Sequence, residues 1–133
     1  DNSVDKLLAS HVMEHMKPWC TISIFDEMWR VIKHSGQALI AVPYATSYGM
    51  SQDPSHCNPF VEATNSYFDP DYSLYTIYRP KPWKIVRCNA SPFHNMETIL
   101  EPRKDKLGNP ILPNQVTNGE RTEPNRIKKK RKK

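Results

Sequence analysis

Two short stretches hold the side chains best suited to chemistry. His11, Glu14 and His15 spell H-x-x-E-H within SHVMEHM, the order of an inverted zinc-peptidase signature, in which the histidines would bind the metal and the glutamate would activate its water. Asp53, His56 and Cys57 gather in DPSHCNPF, where an imidazole beside a carboxylate could ligate a metal or hold a proton. The zinc reading needs His11 and His15 on one helical face, because only a helix aligns residues four apart.

The elements that must position these residues argue for a different arrangement. VDKLLASHV has an apolar run at Leu7, Leu8 and Ala9 and reads as a buried strand over residues 4–12. Pro18 interrupts any long helix continuing from it. His11 is therefore expected at a strand end and His15 on the turn or helix beyond. A third zinc ligand would have to come from Glu97 or Glu101, which lie in or beside a predicted strand. The reading assigns no metal ligand, and Glu14 with His15 is expected to cap or pack a helix start. His56 has two readings: it bonds a backbone carbonyl and fixes a proline-flanked loop, or it stands in a substrate or cofactor pocket.

Ile22, Phe25, Met28, Trp29 and Ile32 recur at three- and four-residue steps, which predicts an amphipathic helix over residues 21–34. Gly36 reads as its C-terminal stop. QALIAVP at 37–43 reads as a second buried strand, so the opening segment spells strand, helix, strand, the crossover unit of a parallel sheet. Residues 44–59 read as a loop at that strand's C-terminal end, where open α/β sheets carry function. A short helix is expected over 60–67, strand pieces at 75–78 and 83–88, and a last strand at 95–100. Trp29 is expected in the core, and Trp19 and Trp83 over a core edge. Tyr67, Phe68, Tyr72, Tyr75 and Tyr78 read as helix and hairpin packing, with a substrate pocket as the alternative. The four glycines, at 36, 49, 108 and 119, never approach closer than 11 residues, so no G-x-G-x-x-G loop occurs.

The formal charge of +5 over 133 residues is unevenly spread. RIKKKRKK at 126–133 holds seven of the 19 Lys and Arg, leaving 12 basic against 14 acidic side chains in the rest. Residues 103–133 lack apolar periodicity and read as a flexible basic tail. The three cysteines are odd in number and far apart, which argues against a disulfide framework and for a reducing compartment. No apolar run approaches the roughly 20 residues of a membrane span. Cytoplasmic localisation is expected, or nuclear in a eukaryote, where RIKKKRKK would act as an import signal.

Taken in order and spacing, DNSVDKLLASHVMEHM, FDEMWRVIKHSGQALIAVP, DPSHCNPF and YFDP resemble class I S-adenosylmethionine-dependent methyltransferases of the type 11-like kind, over residues 1–102. His34-Ser35-Gly36 stands where that family usually has Pro-Gly-Gly. The resemblance implies a Rossmann-like α/β fold, a seven-stranded sheet in the order 3-2-1-4-5-7-6 with helices on both faces. This chain would supply its C-terminal half: strand 4 at 6–12, the 21–34 helix, strand 5 at 37–42, and strands 6 and 7 from 75–88 and 95–100. The N-terminal half, with its glycine-rich loop and ribose-holding acid, is absent from the sequence. The resemblance further implies S-adenosyl-L-methionine as cofactor, with Ala9, Ser10 and His11 lining its pocket. His11 and His56 are the candidates for touching the methyl acceptor, whose identity the sequence does not disclose. Methyl transfer is expected of a longer protein, this chain alone being inactive.

Two other classes compete. One is a non-catalytic module whose Arg126, Lys128, Lys129, Lys130, Arg131, Lys132 and Lys133 make weak, salt-dependent nucleic-acid contacts or direct nuclear import. The other is the zinc metallopeptidase that H-x-x-E-H would specify.

Overall fold

The computed structural model describes residues 1–113, and RIKKKRKK lies outside them. Strand β1 (Val4–Ser10) leads through two short 3-10 turns, Met13–His15 and Pro18–Cys20, into helix α1 (Thr21–Val31) and strand β2 (Ile32–Pro43). Short helices α2 (Tyr48–Ser51), α3 (Glu62–Ser66) and α4 (Tyr75–Tyr78) follow, then the hairpin of β3 (Trp83–Ala90) and β4 (Asn95–Pro102). The sheet order is β1-β2-β4-β3. β1 and β2 are parallel, whereas β4 runs antiparallel to both of its neighbours.

The helical periodicity of α1 buries Phe25, Met28 and Trp29. Phe25 stacks on Phe68 at 4.0 Å between ring centroids and meets Trp83 edge-on. With Ile40, Met96 and Leu100 from the sheet these side chains form one core, so covering the sheet with α1 removes from water the apolar area that drives folding.

The helix is shorter than its periodicity predicts. It ends at Val31, with Ile32 already extended, and residues 33–36 belong to β2. The register steps from Val4↔Ile32 to Lys6↔Gln37, so β2 spends three extra residues where β1 spends none. Gly36 is therefore not a helix stop but a close-approach position. A Cβ there would stand 2.6 Å from Ile32 Cγ2 and 2.7 Å from the Asp5 carbonyl oxygen.

Two further expectations are corrected. Residues 75–78 form helix α4, not a strand piece. The Tyr75 hydroxyl donates to the Pro80 carbonyl at 2.6 Å, and Arg79 turns left-handed at φ 47°, which closes the turn before Pro80 and Pro82 can enter a ladder they could not donate to. Residues 103–113, read as the start of a tail, lie against the body. Arg103 donates to the Trp83 carbonyl and to Asp69, and Lys104 is buried. Polar side chains hold this segment, so no apolar period announced it. Trp83 lies fully in the core, while Trp19 is 79% exposed and is not part of the core. Among the described residues no helix is long and apolar enough to cross a membrane.

Candidate functional site

Because β1 and β2 are parallel, both release their loops at the same edge of the sheet. The ladder runs one residue beyond β1, the His11 N–H donating to the Ala41 carbonyl at 2.8 Å. His11 then takes φ 53°, which is uncommon for a side chain other than glycine and turns the chain into the Met13–His15 turn. The helical face a peptidase pair requires is not formed.

The loop after β2 is brought back to this turn by its backbone. The N–H groups of Cys57 and Asn58 both donate to the Glu14 carbonyl, at 2.9 and 3.1 Å. The buried Asn58 amide donates to the Met13 carbonyl and to the Thr21 hydroxyl, tying loop, turn and helix start together. Two segments far apart in sequence thus present His11, Glu14, His15 and His56 at one sheet edge.

Glu14 is only 1% exposed, and neither carboxylate oxygen has a hydrogen-bond partner among the described residues. Its Oε1 stands 3.4 Å from His11 Nδ1, 3.9 Å from His15 Nε2 and 4.0 Å from His56 Nε2, all beyond good hydrogen-bond length. The far sides of two rings are engaged. His56 Nδ1 meets the Met50 carbonyl at 3.1 Å. A carbonyl only accepts, so Nδ1 carries a proton. His15 Nδ1 meets Ser55 Oγ at 2.9 Å, and that hydroxyl donates its own hydrogen to Asp53 Oδ1 at 2.7 Å, so His15 Nδ1 is also the donor. Asp53 accepts the Ser55 N–H as well, and the Ser55 hydroxyl bond with this backbone bond holds the Asp53 carboxyl below its ordinary value.

Ala9 is buried at the end of β1, with Ser10 and His11 exposed beside it. Glu97 and Glu101 stay on β4, Glu97 opposite Ala41 and Glu101 accepting from Gln37. Of the tyrosine cluster, Phe68 is core, Tyr75 is tied to Pro80, and Tyr67 packs against Tyr78. H-x-x-E-H pairs His11 with His15, and DPSHC sets His56 beside Asp53 and Cys57, whereas the fold groups His15 with His56 around Glu14. The Asp53-Ser55 pairing was readable from D-x-S, an Asx-turn sequence. Asn58 and the burial of Glu14 had no sequence signal.

Asp69, in the YFDP stretch, is buried and structural: it accepts from the Ile85 N–H at the β3 bulge and from Arg103.

No protein-family model and no curated protein matches the sequence. A solved structure of a SAM-dependent methyltransferase from Archaeoglobus fulgidus matches with a TM-score of 0.54 at 15% identity, over 76% of this chain and 60% of that one. The likeness is one of fold: an α/β chain with a four-stranded mixed sheet, consistent with part of a methyltransferase. The chain spans about 60% of the length of that structure.

Proposed function

We propose that this chain is the C-terminal half of a class I methyltransferase sheet, and that the complete protein transfers methyl groups from S-adenosyl-L-methionine. The observation that carries this reading is the strand order β1-β2-β4-β3, with one parallel pair followed by an antiparallel hairpin. On this reading these would be strands 4, 5, 7 and 6 of the family order. The fold of the Archaeoglobus fulgidus enzyme supports it. So does Leu8, 67% exposed on an edge strand, which a further strand and its helices would cover.

The cofactor supplies an electrophilic methyl group. On this chain Ala9, Ser10 and His11 would line one wall of its pocket. His11 would face the acceptor, orienting it and excluding water, with His56 held behind it by the Met50 carbonyl and beside Glu14, and alignment contributes most of the acceleration in such in-line transfers. The test is calorimetric titration with S-adenosyl-L-methionine. The 133-residue chain is expected to bind no cofactor, and a protein joining it to an N-terminal half with the glycine-rich loop is expected to bind one equivalent. Absence of binding in the joined protein overturns the reading. In that protein His56→Ala is expected to lower turnover with cofactor affinity unchanged.

The basic run at 126–133 carries a separate proposal, phosphate binding or nuclear import, for which deletion of the run and binding to DNA against salt is the test.

A further inference from the structure

The arrangement around Glu14 has too many acceptors. With Nδ1 of His15 and of His56 engaged as donors, a neutral ring of either kind turns an Nε2 lone pair toward Glu14 Oε1. The carboxylate they face is buried and unpartnered. Asp53 Oδ2 stands 3.7 Å from the same His56 Nε2. Burying converging lone pairs and negative charge with no cation among them is costly.

We propose that Glu14, His15 and His56 bind one divalent transition-metal ion, zinc being the ion this set favours. One ligand atom from each of the three lies within 4.8 Å of the others. Bonds of about 2.0–2.1 Å in tetrahedral geometry separate ligand atoms by roughly 3.3 Å, so closure on the ion shortens the widest separation by up to about 1.5 Å, shared between two side chains. Two imidazoles and a carboxylate suit zinc or its first-row neighbours, and are too nitrogen-rich for magnesium or calcium. The outer contacts are those of a built site, each ring being fixed in tautomer and orientation by its second nitrogen, His56 on a carbonyl and His15 on the Ser55-Asp53 pair. Three protein ligands leave a fourth position open, and the half-exposed His11, its Nδ1 3.4 Å from Glu14 Oε1, is the nearest other imidazole to the carboxylate. This is not the peptidase arrangement. The glutamate is a ligand and not a base, and the second histidine comes from the DPSH loop.

The inference is independent of methyl transfer, and its test reads the metal alone. The full chain would be stripped with chelator, dialysed against zinc, manganese or magnesium chloride, and passed through gel filtration before elemental analysis. About one zinc per chain is expected, with magnesium not retained. Substituting cobalt is expected to give the visible d–d absorption of a low-coordinate nitrogen and oxygen site. His15→Ala and His56→Ala are each expected to weaken zinc binding at least tenfold, in the range even of lost outer-sphere support. His11→Ala and Cys57→Ser are expected to retain it. Circular dichroism reports the fold of each variant. His15 is the safer site for substitution because its side chain is partly exposed. A full chain that retains no zinc, manganese or cobalt overturns the proposal, as does zinc uptake undiminished in both histidine variants.

Discussion

At the scale of single residues, the site depends on small polar contacts that fix larger side chains. Asp53 shows this most directly. Its carboxyl is held below the ordinary 3.8 by Ser55, so the folded protein favours the ionised form. That contribution is present above pH 3.8 and is lost as pH falls through the lower folded value. Asp53→Asn is therefore expected to flatten the acid limb of the stability profile, measured by urea unfolding at a series of pH values. A limb unchanged in the variant would remove Asp53 from this role. The residues themselves were legible in sequence: H-x-x-E-H and DPSH mark all four side chains. Their partnership was not. Glu14 meets His56 because Cys57 and Asn58 donate to the Glu14 carbonyl, a long-range backbone match that no local pattern encodes.

Elements show a similar division. The strand-helix-strand opening, the short α3 and the β3-β4 hairpin follow from apolar periodicity and proline placement, and the sequence reading found them. The end of α1 was misjudged because Ile32 continues the helical apolar spacing yet starts β2. Burial at that position served both periods. Gly36 then looked like a stop, when its lack of a side chain lets β1 and β2 approach. Gly36→Ala is expected to destabilise by about 1–3 kcal/mol, as overpacking does, seen as a lowered urea midpoint. An unchanged midpoint would mean that Ile32 yields at no cost. Asp69 ties the β3 bulge to Arg103, with both partners largely buried. Asp69→Ala leaves the Ile85 N–H unpaired while Arg103 keeps Asp71, and is expected to cost about 1–3 kcal/mol, measured the same way.

Over the whole molecule, residues 103–113 close the structure where composition suggested a tail. Lys104 reaches back to the end of α1, donating to the Trp29 carbonyl and, less closely, to that of Arg30. It also donates to Asn2 Oδ1 at 2.6 Å, and its ammonium lies 4.4 Å from the Trp29 ring centroid. A cation there satisfies carbonyls that a helix end leaves open and complements its negative pole. A lysine within the charged run RKDK gives no such signal in sequence, since lysine is almost always solvated. This clasp joins the second residue of the chain to the hundred and fourth, which gives it a place in time as well as in space. A contact of such sequence separation is expected to close late, after the sheet and α1 have met, because loop closure costs entropy before the contact stabilises. Its loss therefore burdens the return journey more than the outward one. Lys104→Met is expected to speed unfolding about fivefold or more while leaving the folding rate nearly unchanged, as stopped-flow mixing would record. A slowed folding limb would instead make the clasp part of the nucleus on which the rest condenses.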